Sequence, residues 1–256
     1  MRVLAIETSC DETAAAIVEA TEPFDSAQGK KVELNILTNI VASQLQTHAK
    51  TGGVIPDVAA RMHTEALTHV LNQATENKKL DFDAVAVTSG PGLIGCLLIG
   101  QSAAKTIAQV TGKPFYPINH LEGHIYSAWL APSNVEGLPP SELPVNSFQF
   151  SPPELPVLVV IVSGGHSELV LMERHLQYKL LGATRDDAAG EAFDKVARLL
   201  GLPYPGGPAI DHLAREGNAD AYKLPISLPE RGNLEFSFSG LKAAVAGLVG
   251  RLAPHH

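Results

Sequence analysis

Two histidines, His120 and His124, stand one helical turn apart in Asn119-His120-Leu121-Glu122-Gly123-His124. Side chains at i and i+4 share a helix face, so the two imidazoles can converge on one cation. Neutral imidazole suits zinc or iron. Two histidines on a helix surface would show the same spacing, and spacing alone does not separate the two readings. The same residues disfavour one chemistry. A zinc protease of the His-Glu-x-x-His type needs its glutamate directly after the first histidine. Leu121 holds that place, and Glu122 lies roughly 200° around the helix from His120, facing away.

A second group of candidates sits on turns. Ser163-Gly164-Gly165 follows the apolar run Val157–Val162, which reads as an almost continuously buried strand. Consecutive glycines are expected to turn with positive φ and to present N–H groups to an anion; a plain tight hairpin is the alternative. An earlier turn carries Ser9, Asp11 and Glu12 between the apolar runs 3–6 and 14–18. Two such tips could hold a nucleotide's phosphates, with the acids organising a cation or water. Taken alone, Asp11 and Glu12 read as a solvated turn.

Gly206-Gly207-Pro208 precedes a helix start, where Gly207 would allow close approach of a negatively charged ligand. Asp194 and Asp211 lie on the flanking helices. They could accept from ribose hydroxyls or be ordinary helix-face acids. Ser89-Gly90-Pro91-Gly92 reads as a sharp strand-to-helix turn and lacks the serine of the hydrolase elbow Gly-x-Ser-x-Gly. His63, His69 and His212 read as structural or surface residues, as does His166 unless its place after the glycine turn gives it a role.

These residues need a scaffold. The two turn-tipped hairpins, near residues 3–18 and 157–172, read as two copies of one unit. Between them, strands near 84–87 and 115–118 alternate with a helix that starts at Pro56 and carries the stripe Val58, Met62, Ala66 and Val70, and with a helix running from the 89–92 turn to Gly112, which argues for an α/β class. Asn119 is placed to cap the helix of the histidines, and Ser239 to cap a last helix. The expected organisation is a lobe over 1–130 carrying the histidine helix, a proline-rich loop or linker over 131–156, and a partial second lobe over 157–256. A shorter insertion spans 22–31.

The bulk properties set bounds. A chain of 256 residues with 45% hydrophobic content can fill a substantial core. It has no apolar run long enough to span a membrane, and its first seven residues reach Glu7 too soon for a secretory signal. Two cysteines, Cys10 and Cys96, read as reduced thiols of a cytoplasmic protein. The net charge is −8, from 19 basic and 27 acidic residues. Such a chain needs a basic partner or patch to bind nucleic acid, because phosphate contact depends on Lys and Arg.

Seven ordered segments resemble one family: Ile6-Glu7-Thr8-Ser9-Cys10-Asp11-Glu12-Thr13, Gly52-Gly53-Val54-Ile55-Pro56, Ser89-Gly90-Pro91-Gly92-Leu93, His120-Leu121-Glu122-Gly123-His124, Val162-Ser163-Gly164-Gly165-His166, Asp186 through Lys195, and Tyr204-Pro205-Gly206-Gly207-Pro208. They are similar to the TsaD family, the tRNA N6-adenosine threonylcarbamoyltransferases, once labelled sialoglycoprotein endopeptidases. The resemblance implies a two-lobed actin-like ATPase fold, a duplicated ribonuclease-H-like unit, with the second lobe truncated here. It implies transfer of threonylcarbamoyl from threonylcarbamoyl-AMP to N6 of the adenosine beside the anticodon, in tRNAs reading codons that begin with A, with release of AMP.

By the same resemblance, His120 and His124 fall on the ligands of one divalent Fe2+ or Zn2+. Ile161, Val162, Ser163, Gly164, Gly165, Asp194, Gly207 and Asp211 fall on adenylate-binding positions. Ser9, Asp11 and Glu12 fall on a loop facing the site, with Asp11 or Glu12 as candidate proton acceptor. TsaB-like and TsaE-like proteins and tRNA are the implied partners, and a homodimer is left open. Family members continue past this chain's end, into a segment that carries a further metal-binding aspartate and an adenylate-binding asparagine. The 256-residue chain alone is therefore expected to be inactive and to bind metal loosely. Two rivals stand beside this reading: a non-catalytic scaffold related to the family, and an ATPase or kinase on the same fold.

Overall fold

A computed structural model describes residues 1–21, 32–75, 81–132 and 147–252. The insertion expected over 22–31 and most of the proline-rich stretch, 133–146, lie outside them. In chain order the elements are β1 (Arg2–Glu7), β2 (Glu12–Ala20), β3 (Val32–Ser43), α1 (Leu45–Ala49), α2 (Pro56–Thr75), β4 (Ala84–Gly90), α3 (Ile94–Thr111), β5 (Phe115–Asn119), α4 (His120–Ser127), β6 (Leu130–Pro132) and β7 (Ser147–Phe150). There follow β8 (Val157–Val162), β9 (Ser167–Arg174), β10 (Gln177–Ala183), α5 (Ala189–Leu199), α6 (Gly206–Ala214) and α7 (Ser239–Leu252). The class is α/β. The chain forms two compact units, Met1–Gln46 with Val54–Pro153, and Thr47–Gly53 with Glu154–His256.

The first unit is built on a mixed sheet of order β5-β4-β1-β2-β3-β7-β6. β1 pairs antiparallel with β2 and parallel with β4, which pairs parallel with β5. This meander of three strands followed by parallel strands on the other side of β1 is the ribonuclease-H-like half that the sequence motifs implied. Period-2 alternation puts Leu4 and Ile6 of β1 on one face with Ile17, Val85 and Val87. Leu67 of α2 and Ala104 and Ala108 of α3 cover that face, and Phe82 closes its edge. Each fully buried large side chain there contributes about 1.5–3 kcal/mol. Gly112, with φ of 67°, ends α3 in the left-handed conformation, its N–H donating to the Ala108 carbonyl.

The stretch 131–156 differs from the loop expected of it. β6 overlaps its start and β7 lies inside it, and β7 pairs with β3 through Val32↔Phe150 to Asn35↔Ser147. The first compact unit therefore runs on to Pro153 rather than closing at 130. The pattern was hidden because β7 is four residues long, too short to display a period.

The second unit holds the order β10-β9-β8, again a three-stranded antiparallel meander. It repeats β1-β2-β3 and bears out the duplicated hairpin. One expectation fails. β8 is not buried throughout: Leu158, Val160 and Val162 are 55%, 57% and 63% exposed, while Ile161 between them is buried. Among the described residues the face that bears Leu158, Val160 and Val162 is left uncovered, and only the other face is packed.

Helix α7 is held by a residue the sequence reading passed over. Asp186 accepts the backbone N–H groups of Phe238 and Ser239 at 2.8 and 3.2 Å and the hydroxyls of Ser237 and Ser239 at 2.6 Å. Ser239 thus donates rather than caps, and a carboxylate from 53 residues upstream does the capping, where the helix dipole favours negative charge. Burial opposes its ionisation, but these donors hold Asp186 well below the usual carboxylate range. The neighbouring Asp187 carboxylate takes Lys195 and Lys242 at 2.7 and 2.6 Å, tying α5 to α7.

Candidate functional site

The parallel strands β1, β4 and β5 end together, and their C-terminal ends carry the chemistry of the first unit. In open α/β sheets this is where ligands bind. Asn119, the last residue of β5, accepts the N–H groups of Leu121 and Glu122 at 2.8 and 3.3 Å and so starts α4 as expected. The first residue of α4 is His120. One turn on, His124 places its Nε2 3.1 Å from the Nε2 of His120, with the rings 4.5 Å apart at 81°. Two nitrogens bound to one tetrahedral zinc at ordinary bond lengths lie about 3.3 Å apart. The pair therefore converges as a ligand pair must.

The other nitrogen of His120 faces β1. Its Nδ1 lies 3.3 Å from Ser9 Oγ and 3.5 Å from Glu7 Oε2. The Glu7 carboxylate also takes the Ser9 backbone N–H and the Thr88 hydroxyl. Burial alone would raise Glu7, but the hydrogen bonds from His120, Ser9 and Thr88 outweigh it and hold the carboxyl down at about 2. Glu7 is thus an anion at neutral pH. An ionised carboxylate only accepts, so the tautomer of His120 that would suit Glu7 is the one with N–H at Nδ1 and the lone pair at Nε2.

The donor set fits a divalent cation as far as it goes: two converging imidazole nitrogens, one of them oriented by a carboxylate. Among the described residues no group of three or more His, Cys, Asp or Glu could hold a metal ion.

The loop after β1 is pinned from several sides. Thr8 donates to the Cys96 carbonyl at 2.9 Å, and Gly100 of α3 has no side chain where Thr8 packs. Leu93 N–H donates to the Ser9 carbonyl at 2.9 Å, and a Cβ on Gly92 would lie 2.7 Å from that oxygen. His63 of α2, fully buried, reaches the Cys10 carbonyl through Nε2 at 3.0 Å and the Thr13 hydroxyl through Nδ1 at 2.7 Å. A carbonyl can only accept, so Nε2 is the donor and Nδ1 the acceptor. The structural reading of His63 is correct, and its task is to fix this loop.

Asp11 and Glu12 lie on the same turn but form no hydrogen bond or ion pair with His120 or His124 among the described residues. Gln44 N–H donates to the Asp11 carbonyl at 2.9 Å, and Ser43 Oγ lies 3.4 Å from Glu12. Partial burial, then the adjacent Asp11 carboxylate, push Glu12 up to about 7. Folded Glu12 keeps its proton well above the ordinary value of 4.5. The folded state binds more protons between these values, so this group makes stability fall as pH rises from about 4.5 to about 7. Glu12 keeps an exposed face, which limits the effect to about 1 kcal/mol or less. Urea unfolding across that window should show Glu12→Gln relieved of this fall; equal pH slopes for variant and parent would contradict the assignment.

In the second unit the Ser163-Gly164-Gly165 turn joins β8 to β9. Ser163 N–H donates to the His166 carbonyl at 2.8 Å, and Ser163 Oγ accepts from the N–H groups of Gly165 and His166 at 3.3 and 3.0 Å. One expectation is corrected. Neither glycine has positive φ, because the serine hydroxyl closes the turn from within. The Gly165 N–H donates to that hydroxyl. Methyl groups on Gly164 or Gly165 would meet open space, whereas one on Gly190 would lie 2.8 Å from the Gly164 backbone and the Ser163 carbonyl. Gly190, absent from the sequence-level candidates, lets the start of α5 pack on the turn. Its N–H donates to that carbonyl at 3.1 Å, and Ser167 Oγ accepts from Ala189 N–H at 2.9 Å.

Asp194 of α5 accepts the Gly206 N–H at 2.7 Å through Oδ1 and so caps α6. Gly206 is required there, since its Cβ would sit 2.5 Å from Ala197 and 2.7 Å from the Asp194 backbone. Gly207, next along, opens to empty space, and Asp211 is exposed and paired with Arg215 at 2.9 Å. The structure brings Asp194 and Gly207 to one helix start and commits Asp211 to an i,i+4 ion pair.

Two cavities mark the first unit. One of about 280 Å3 lies on the sheet face beside Glu7 and Thr88, floored by Ala5, Ala14, Ala16 and Ala86. A larger one of about 490 Å3, between Tyr126, Phe150 and Leu34, is apolar and includes neither histidine. No helix among the described residues is long and apolar enough to cross a membrane.

The first unit is an α/β unit with paired histidines at its strand ends, and the second carries a serine–glycine turn on a three-stranded meander, which together make a two-unit α/β protein. The family model of TsaD, tRNA N6-adenosine threonylcarbamoyltransferase, matches residues 35–254. The chain belongs to this family. It is 49% identical over 257 residues to the tRNA N6-adenosine threonylcarbamoyltransferase of Rhizobium etli, covering 99% of this chain and 63% of that protein. The enzyme of the same name from Moorella thermoacetica is 49% identical over 246 residues, covering 95% of this chain and 63% of its own length. The chain thus spans a little under two thirds of the relatives it matches. Among solved structures, the Aquifex aeolicus Ppx/GppA phosphatase gives a TM-score of 0.39 at 16% identity, over 84% of this chain and 61% of that one. YeaZ from Pseudomonas aeruginosa gives 0.37 at 14%, over 71% and 66%.

Proposed function

We propose that this chain is the larger part of a transferase that moves threonylcarbamoyl from threonylcarbamoyl-AMP to N6 of the adenosine beside the anticodon of tRNA, releasing AMP. The observation that carries the reading is the family match, together with the 3.1 Å convergence of His120 and His124. Their imidazoles would hold Fe2+ or Zn2+, which when bound supplies Lewis-acid polarisation of the carbamoyl group. Ser163 shapes the turn whose Gly164 N–H is offered to the phosphate, flanked by Ile161 and Val162. Asp194 and Gly207 form the helix start assigned to the rest of the adenylate. The adenosine amine attacks the carbamoyl carbon, the bond to phosphate oxygen breaks and AMP leaves. Of the two acids on the first loop, Glu12 suits proton acceptance better, because its carboxyl sits at about 7, near the operating pH. Ser9 acts beside it by hydrogen-bonding His120.

The partners are tRNA and proteins of the TsaB and TsaE kinds, in the cytoplasm. A net charge of −8 supports the need for help with tRNA. A catalytic zinc normally keeps three protein ligands, and the two-histidine half-site supports the reading that the 256-residue chain binds metal loosely and is inactive alone. The test is nucleoside mass spectrometry of tRNA incubated with threonylcarbamoyl-AMP and the two partner proteins. Threonylcarbamoyladenosine is expected when the chain is extended with the remaining C-terminal part of the R. etli relative, and not with the 256 residues alone. Absence of product from the extended protein would overturn the transferase reading; product from the short chain at a normal rate would overturn its dependence on further sequence.

A further inference from the structure

We infer that Glu7 is the positioning residue of the cation site: its carboxylate fixes the His120 tautomer that leaves Nε2 free to bind metal. The inference rests on the metal reading above and adds a residue to it. Four observations carry it. Glu7 ends β1, an interior strand of the sheet flanked by β4 and β2, and so sits on a rigid element. Its Oε2 lies 3.5 Å from Nδ1 of His120, the ring nitrogen remote from His124. The Ser9 N–H and the Thr88 hydroxyl hold the carboxylate from β1's own loop and from β4, so it cannot swing away without losing both. Ser9 Oγ, 3.3 Å from the same Nδ1, joins the cradle.

The physical logic is that of an oriented ligand. A neutral imidazole has one N–H and one lone pair, and a metal needs the lone pair. Without a fixed acceptor at Nδ1, the proton is free to reside on Nε2, where it blocks coordination. A carboxylate at Nδ1 holds the proton there, fixes the ring plane and makes the ligand nitrogen more basic. Asn119 sets where the ring begins on the helix, and Glu7 sets which way its lone pair points.

Zn2+ affinity of the 256-residue chain, measured by competition with a chromophoric chelator, tests this. Outer partners of this kind change affinity by about 10- to 100-fold, and Glu7→Gln, of the same shape but uncharged, is expected to weaken Zn2+ by that factor. Thr88→Val, which removes one support of the carboxylate, is expected to weaken it less, and covers the case in which Glu7→Gln does not fold. In a His120→Ala background, Glu7→Gln should add nothing, which a merely structural role would not predict. Unchanged affinity in Glu7→Gln and Thr88→Val, with His120→Ala still harmful, would overturn the inference and leave the metal reading intact. No Zn2+ binding by the parent would count against the metal reading instead. The inference then meets its own test in the metal-free chain, by long-range nitrogen–proton NMR of the His120 ring. Nδ1–H is expected in the parent and a shift toward Nε2–H in Glu7→Gln; the same tautomer in both would overturn it.

Discussion

Replacing His120 and His124 together by alanine is expected to abolish the loose binding of Zn2+ or Fe2+ by the chain, with the fold retained. The side chain of His120 is about one quarter exposed and His124 is exposed, so the loss of packing is small. The two Nε2 atoms, 3.1 Å apart, have no third His, Cys, Asp or Glu grouped with them among the described residues. Each single replacement therefore leaves one imidazole, and the affinity should fall at least 100-fold for either, as expected when half of a ligand set is removed. Titration with Zn2+ against a weak chromophoric chelator, with unchanged far-UV circular dichroism, checks it. Metal retained by the double variant would place the cation elsewhere.

The second large effect is expected at Gly190. A methyl there would lie 2.8 Å from the Gly164 nitrogen and Cα and from the Ser163 carbonyl oxygen. These are backbone atoms on a turn held by three internal hydrogen bonds, so relief requires moving either the turn or the start of α5. Forcing a methylene into a tight site costs about 1–3 kcal/mol. If that cost falls on the turn in its anion-holding shape, AMP binding weakens by about 5- to 150-fold. Gly164→Ala provides the contrast. Its methyl meets no protein atom within 4 Å, so stability should be unchanged, while the anion's approach to the N–H is obstructed. Calorimetric titration with AMP is expected to show both variants impaired, with thermal stability lowered only in Gly190→Ala. Normal AMP binding by Gly164→Ala would remove the phosphate from this turn.

How much of this was legible follows from where each signal resides. The histidine pair was readable because helix periodicity fixes which residues share a face, and Asn119 announced the helix start. The duplicated meander was readable from two apolar hairpins tipped with Ser, Gly and carboxylates. Glu7 was not singled out: it looks like the end of an apolar strand, and its value comes from β4 and α4 arriving beside it from more than 80 residues away. Gly190 and Asp186 were quoted within a motif but given no task, since a close backbone approach and a distant helix cap exist only once the chain is folded. The positive φ expected at Gly164 and Gly165 failed because one serine hydroxyl can shape a turn that glycine freedom would otherwise have to supply. β8 was read as buried because an apolar run does not reveal that one of its faces is left unpacked.

The most direct test of the central claim is anomalous scattering at the zinc and iron edges from crystals of the chain grown with each metal. The account predicts a single peak about 2.0–2.1 Å from Nε2 of both His120 and His124, with Nδ1 of His120 turned to Glu7. Rings directed away from one another, or a peak bound by other residues, would contradict it.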